Sequence, residues 1–98
     1  MRQRQPAVYI IANKRNGTLY TGVTSDLPKR IWEHKNSIIK GFASRYGCKI
    51  LVYYENFDTM DYAIFREKQI KAGSRQNKLQ LIKNFNPDWR DLYEIVCS

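Results

Sequence analysis

The sequence lacks several features that define whole classes of protein. No apolar run approaches the roughly 18 residues that cross a membrane as a helix. The basic N-terminus, Met1 to Gln5, lacks the apolar segment of a signal peptide. There is no internal repeat and no long polar low-complexity stretch. We therefore expect a single domain over residues 1–98, with its core at about 6–93, located in the cytoplasm.

Cysteine is scarce, and its placement excludes a cysteine-rich metal site. Cys48 and Cys97 lie far apart in the sequence and belong to no cluster of metal ligands. In a cytoplasmic protein each is best interpreted as a buried structural thiol, and a disulfide between them is the alternative.

Acidic residues are also few. Nine acids face seventeen lysines and arginines, which gives a net charge of +8. Such a charge attracts a polyanion such as nucleic acid, and the alternative is a basic surface that only keeps the protein in solution. The sequence has no zinc finger or helix-turn-helix, so we do not expect sequence-specific binding. The candidate phosphate contacts are the basic residues Lys68, Lys71, Arg75, Lys78 and Lys83, with Arg45 and Lys49 upstream.

A β-hairpin is predicted near the N-terminus. Two runs rich in β-forming residues, Ala7 to Ala12 and Thr18 to Thr24, flank the pair Asn16-Gly17, which favours a tight turn.

The register of this hairpin decides which side chains share a face. A two-residue turn pairs Tyr20 with Asn13 and Ile11 with Gly22. Tyr9 and Tyr20 then lie on one face of the sheet, and Gly22 beside them leaves room for a ligand to approach. A three-residue turn would separate the two tyrosines.

The rest of the chain predicts one more strand and several helices. Ser25-Asp26-Leu27-Pro28 begins a helix to about Ile39, with Leu27, Ile31 and Ile38 on its apolar face. Lys49 to Phe57 is a third strand. Asp58 or Thr59 then caps a helix to about Ala72, which Gly73 ends. The last predicted elements are a short basic helix at Gln76 to Lys83 and a turn or helix from Asn86-Pro87-Asp88 through Trp89 and Leu92.

The order β-β-α-β-α-α indicates an α+β fold. We expect a three-stranded, largely antiparallel sheet flanked by helices.

Two helices carry polar side chains that a purely structural interpretation does not explain well. Arg30 and His34 are four residues apart, so they stack on one flank of the first helix beside its buried stripe. An exposed Arg-His pair is the alternative.

Glu67 is the more informative residue, because it falls within an apolar stripe. A carboxylate that faces the core costs stability unless a cation, metal or donor compensates it. A structural pair with an arginine is one interpretation; we favour a carboxylate that holds a metal, since Mg²⁺ needs few protein ligands. The stripe consists of Met60, Ala63, Ile64 and Ile70.

Taken in order, these residues resemble the GIY-YIG nuclease superfamily, and most of all its branch of small stand-alone bacterial proteins. The resemblance extends from Ala7 to about Tyr93. The superfamily also includes homing endonucleases and the incision subunit of bacterial excision repair. The residues are Val8-Tyr9-Ile10, Tyr20-Thr21-Gly22, Arg30, His34 and Glu67 within Phe-Arg-Glu-Lys-Gln-Ile-Lys.

The motifs depart from the family pattern in places. Ala7 or Val8 stands where the first glycine is expected, and Val23 stands where some relatives have lysine. The late asparagine of the family corresponds best to Asn86 rather than Asn84, although a capping role before Pro87 is an alternative.

The resemblance implies cleavage of a nucleic-acid phosphodiester, in DNA rather than RNA, with one divalent cation, Mg²⁺ or Mn²⁺. Glu67 would hold the metal, and Arg30 would bind the scissile phosphate. Tyr20 would accept a proton from the attacking water, and Tyr9 would orient water or phosphate. His34 would assist proton transfer or contact the backbone phosphate. For each tyrosine, packing between sheet and helix is the alternative.

Two other functions remain open at this point. One is a nucleic-acid-binding module that keeps the fold without cutting, and the other is a small structural or interaction domain. We expect a monomer or weak dimer, with a possible protein partner for targeting, and repair or recombination as the setting.

Overall fold

The structure, a computed structural model, describes residues 4–98, so the first three residues of the basic N-terminal segment lie outside it. The strands in this part of the chain are β1 (Ala7–Ala12), β2 (Leu19–Thr24) and β3 (Ile50–Asn56). The helices are α1 (Leu27–Lys35), α2 (Phe42–Arg45), α3 (Met60–Ala72), α4 (Arg75–Phe85) and α5 (Tyr93–Cys97). None of these helices is long and apolar enough to cross a membrane. The predicted α+β fold is confirmed.

The three strands form an antiparallel sheet in the order β2-β1-β3. The predicted two-residue turn of the hairpin is wrong. The Asn13 amide donates to the Thr18 carbonyl oxygen at 3.3 Å, and residues 14–17 form the turn. Ile11 therefore pairs with Tyr20 rather than with Gly22, a shift of two residues. Because side chains alternate with a period of two, this shift keeps Tyr9 and Tyr20 on the same face, as predicted.

Helix α1 begins as predicted but ends early. Its N-cap is Asp26, whose Oδ1 accepts a hydrogen bond from the Lys29 amide at 3.4 Å. The helix stops at Lys35 rather than Ile39, because Ser37 adopts a left-handed backbone conformation with φ of 55°. Ile38, predicted to lie on the buried face, is consequently 53% exposed.

The later helices match the prediction more closely. Thr59 caps α3, and α3 ends before Gly73. The predicted short basic helix is longer, reaching from Arg75 to Phe85. The last helix begins only at Tyr93, after a turn at residues 86–89 in which the Trp89 amide donates to the Asn86 carbonyl oxygen at 3.0 Å. Helix α2 was not predicted.

The sheet is the middle layer of the molecule. Helices α1, α2 and α5 cover one face, and α3 and α4 cover the other. Strand β1 is buried along its whole length because it lies between two strands and two helical layers. One face of the sheet contributes Tyr9, Ile11 and Leu51 to the core, together with Leu27 and Ile31 of α1. The other face contributes Val8, Ile10 and Val52, together with Ala63, Ile70 and Ile82 of α3 and α4.

The two cysteines have different environments, and both are free. Cys48 is buried, and burial raises the pKa of its thiol, as expected of a structural cysteine. The same prediction is wrong for Cys97, which is exposed on α5.

Thr21 provides a test of how the sheet packs under α3. Its side chain is 4% exposed, and its hydroxyl oxygen has no hydrogen-bond partner within residues 4–98. We expect Thr21→Val to stabilise the protein by about 1 kcal/mol, because it removes an unpaired buried hydroxyl without changing the shape. Urea unfolding measures this change.

Thr24→Val is the matched control. The Thr24 hydroxyl is equally buried, but it accepts from the Asp26 amide at 3.0 Å and donates to the Asp26 carbonyl oxygen. Thr24→Val should therefore destabilise. If both substitutions destabilise equally, the Thr21 hydroxyl has a partner and its unpaired state is refuted.

Candidate active site

Tyr9 lies at the centre of the candidate site. It projects from the middle of β1, and its side chain is 1% exposed. Gly22 lies directly opposite on β2, and a Cβ at Gly22 would come within 2.4 Å of the Tyr9 Cζ and hydroxyl oxygen. The predicted space for a ligand at Gly22 is therefore wrong, since the Tyr9 ring itself fills it. Gly22 is required because any larger residue would displace this ring.

His34 joins Tyr9 from α1. The Tyr9 hydroxyl oxygen and His34 Nε2 are 2.8 Å apart, and the imidazole is 4% exposed. Tyr20 packs against both, with ring centroids 6.4 Å from Tyr9 and 5.7 Å from His34. The structure thus brings together both predicted tyrosines and the predicted histidine, although His34 lies within the buried face rather than at its border.

Arg30 lies next to this pair. Its positive charge acts to lower the pKa of Tyr9 and also lowers the pKa of His34. Arg30, Tyr9 and His34 therefore form one cluster. Arg30 also donates to the Val23 carbonyl oxygen at 3.4 Å and pairs with Glu33 at 3.4 Å.

Burial determines the protonation states of Tyr9 and His34. Burial raises the pKa of Tyr9 well above its usual value, and Arg30 offsets only part of that effect. Burial lowers the pKa of His34, and the positive charge of Arg30 lowers it further. Tyr9 therefore keeps its proton at neutral pH and His34 is neutral there, so the hydrogen bond between them joins two uncharged groups.

Glu67 reaches the same cluster from α3. Its side chain is 14% exposed, and its negative charge contributes to the raised pKa of Tyr9. Its partner is Lys71 one turn later, with Nζ 3.0 Å from Oε2, rather than an arginine. The predicted apolar stripe around Glu67 holds for Ala63 and Ile70, but Ile64 is 36% exposed.

Lys71 has a larger part in the site than the sequence suggested. Its Nζ lies 5.9 Å from the centroid of the Tyr20 ring while it pairs with Glu67. It therefore connects the carboxylate on α3 to the aromatic cluster of the sheet. The sequence indicated the contact between Lys71 and Glu67 through their spacing of four residues, which places both on the same face of a helix.

A model of the GIY-YIG catalytic domain family matches residues 5–80 of the chain. The chain belongs to the GIY-YIG family. The match contains every residue of the cluster, from Tyr9 on β1 to Lys71 on α3. Membership places this GIY-YIG protein in a family of nucleases, as the resemblance implied.

Relatives of this GIY-YIG protein are small and stand alone. A UPF0213 protein of Staphylococcus saprophyticus is 46% identical over 75 residues, which cover 76% of this chain and 90% of the relative. A UPF0213 protein of Clostridium perfringens is 42% identical over 77 residues, covering 79% and 82% of the two chains. The solution NMR structure of a UPF0213 protein from Bacillus halodurans is similar, with a TM-score of 0.56 and 27% identity over 89% of this chain and 92% of that one. The predicted stand-alone branch and fold are confirmed.

The basic residues predicted to contact phosphate lie in varied environments in this GIY-YIG domain. Arg75 donates to the carbonyl oxygens of Asn16 and Gly17, each at 2.8 Å, and so ties α4 to the hairpin turn. Lys78 donates to the Gly73 carbonyl oxygen at 2.9 Å. Lys68 is exposed. Lys71 is the one of these four that the structure joins to the cluster, through Glu67 and Tyr20.

Asn86 is held by backbone groups. It is 6% exposed, its Nδ2 donates to the carbonyl oxygens of Val52 and Arg90, and its Oδ1 accepts from the Arg90 amide. It is also the C-cap of α4. These contacts support the structural alternative for Asn86, and a part for it in nucleic-acid binding stays a prediction.

His34 makes the site sensitive to pH. We expect its folded-state pKa to lie below 6.5, since burial and Arg30 both disfavour the imidazolium. The unfolded chain then binds a proton below about pH 6.5 that the folded chain does not, so stability should fall as the pH drops through this range. This is the only histidine in the chain, so NMR of its ring gives the pKa directly.

Urea unfolding at pH 7.5 and 5.5 gives the matching stability measurement. A His34→Gln variant should lose this part of the pH dependence. A measured His34 pKa of 6.5 or higher would refute the buried, neutral imidazole.

Proposed function

We propose that this protein is a metal-dependent endonuclease that hydrolyses phosphodiester bonds of nucleic acid, DNA in preference to RNA. The main support is the hydrogen bond between Tyr9 and His34, with Arg30 and the carboxylate of Glu67 beside it. The cluster combines a phosphate-binding cation, groups that hold or transfer protons and a metal-binding oxygen in a protein of charge +8.

The donor set fits a single Mg²⁺ or Mn²⁺ ion. Within residues 4–98 no group of three His, Cys, Asp or Glu side chains is arranged to enclose a metal. Mg²⁺ keeps several waters and takes one or two carboxylates together with substrate phosphate, so Glu67 is sufficient as the protein ligand. When bound, the ion supplies polarisation of the phosphate and stabilisation of charge on the leaving oxygen. Lys71, now paired with Glu67, then becomes free for the phosphate.

Arg30 binds the scissile phosphate in this proposal. Its side chain is 37% exposed, so among Arg30, Tyr9 and His34 it is the member that a substrate reaches from solvent. Its contacts with the Val23 carbonyl oxygen and with Glu33 hold the guanidinium in place. A planar fork held in this way suits a pair of phosphate oxygens.

Tyr20 accepts the proton of the attacking water. Tyr9 is excluded from this task, because its raised pKa and its hydrogen bond to His34 keep its own proton in place. Tyr20 is the more exposed of the two tyrosines and adjoins Lys71. Before this step Tyr20 gives its hydroxyl proton to solvent. As the water oxygen bonds to phosphorus, the bond to the leaving oxygen breaks, the water proton passes to the Tyr20 phenolate oxygen, and the leaving oxygen takes a proton from solvent. Because His34 is buried, we assign it a role in proton transfer rather than direct contact with a phosphate.

A substrate panel tests the proposal. Purified protein is incubated with duplex, nicked, branched and single-stranded DNA and with RNA, in Mg²⁺, Mn²⁺ or EDTA. We expect at least one DNA substrate to be cut with a metal present and none in EDTA. If no substrate is cut faster than by a Glu67→Ala variant, the nuclease function is refuted and binding without cleavage is favoured.

A further inference from the structure

Helix α2 and its C-cap residue Tyr46 present two aromatic side chains to solvent, while Ala43 of α2 is buried. Phe42 is 50% exposed and Tyr46 is 47% exposed, whereas Ala43 is 5% exposed. Two glycines with positive φ flank the segment, Gly41 at 136° and Gly47 at 67°. This is the reverse of ordinary packing, in which aromatic rings go inward. A short segment anchored by alanine therefore holds two aromatic rings at the surface.

These rings continue the aromatic cluster of the candidate active site outward. Phe42 stacks on Tyr20, with ring centroids 6.4 Å apart and planes inclined by 25°. Tyr46 packs on Phe42 at 4.7 Å. A row of rings thus runs from Tyr20 beside His34 to the exposed faces of α2.

Basic residues lie near the two rings in the sequence. Lys40 is two residues before Phe42, Arg45 directly precedes Tyr46, and both are exposed in a chain of charge +8. Exposed aromatic rings beside basic residues match the chemistry of single-stranded nucleic acid, whose bases stack on the rings while its phosphates meet the cations. A continuous duplex keeps its bases stacked on each other and offers none to such rings.

We propose that Phe42 and Tyr46 form a stacking platform for an unpaired nucleotide base next to the phosphate held by Arg30. The substrate class is then a strand with unpaired bases at the cleavage point rather than a continuous duplex. The location of that phosphate rests on the proposed function, whereas the stacking itself does not.

Binding in EDTA tests the platform without cleavage. Fluorescence anisotropy compares one labelled strand, alone and paired with its complement, as DNA and as RNA. We expect the Phe42→Leu/Tyr46→Leu variant to bind the single strand at least about fivefold more weakly than the wild type, with duplex affinity nearly unchanged. A Tyr62→Leu/Phe65→Leu variant is the matched control, because those rings are 66% and 64% exposed elsewhere. Equal losses for DNA and RNA would identify the base as the group recognised.

A variant with one substitution, which keeps both rings aromatic, controls for misfolding of α2. Phe42→Trp keeps an aromatic face, so it should bind the single strand with wild-type affinity and show added tryptophan fluorescence that the strand quenches. The platform is refuted if the double variant binds the single strand as the wild type does, or if it loses single-strand and duplex affinity equally. A protein that binds as expected but cuts nothing refutes only the proposed function. If the protein cuts nucleic acid but the Phe42→Leu/Tyr46→Leu variant binds the single strand as the wild type does, only the platform is refuted.

Discussion

Glu67→Gln is expected to slow metal-dependent cleavage by about a thousandfold, or roughly 4 kcal/mol of transition-state stabilisation. Glutamine keeps the size of the side chain but loses the charge that holds a divalent cation. Single-turnover cleavage at saturating protein measures the effect, because the chemical step is then separated from product release.

The same substitution should have little effect on folding. The partner of Glu67 is Lys71, whose side chain is 49% exposed, and pairs of this kind contribute about 0–1 kcal/mol. Glu94→Gln is the matched control, since it makes the same chemical change at an exposed position on α5. If Glu67→Gln lowers stability by several kcal/mol and cleavage falls only in proportion to the unfolded fraction, Glu67 is a structural residue.

Arg30→Lys is expected to slow cleavage by about a hundredfold. Lysine keeps the positive charge but cannot offer a planar pair of donors to the phosphate while also donating to the Val23 carbonyl oxygen. The loss should appear in the rate of the chemical step more than in substrate affinity, because lysine still attracts the strand. Rates at saturating and limiting substrate separate the two.

A matched control and a spectroscopic measurement accompany this variant. Arg90→Lys, at an exposed position, should leave cleavage unchanged. Arg30→Met removes the positive charge beside His34, so the NMR-measured pKa of His34 should rise while staying below 6.5, because burial remains. If Arg30→Lys cuts within a factor of about three of the wild type, Arg30 does not position the phosphate.

The sequence could predict the shared face of the two tyrosines despite a wrong turn length. The error moved the pairing by two residues, and a strand repeats its facing every two residues, so Tyr9 and Tyr20 stayed together. An error of one residue would have separated them. The candidate residues could be predicted because each has a fixed place in a strand or helix.

Other features depend on contacts between distant parts of the chain, which periodicity does not reveal. The early end of α1 depends on a single left-handed residue, Ser37. The Tyr9 ring fills the space at Gly22, and this could be known only from the packing of side chains in the folded sheet. The contact of Lys71 with Tyr20 joins α3 to β2. Exposure of Phe42 on α2 contradicts what an apolar residue alone would predict.

In the proposed function, Glu67 holds a divalent cation beside the hydrogen-bonded pair of Tyr9 and His34. Because the chain has one histidine, paramagnetic broadening of its ring signal by substoichiometric Mn²⁺ reports on that location, with Mg²⁺ as the diamagnetic reference. With a short DNA strand present, the His34 signal should broaden in the wild type and in Glu94→Gln but stay sharp in Glu67→Gln. Equal broadening in Glu67→Gln, or none in the wild type, would contradict the claim.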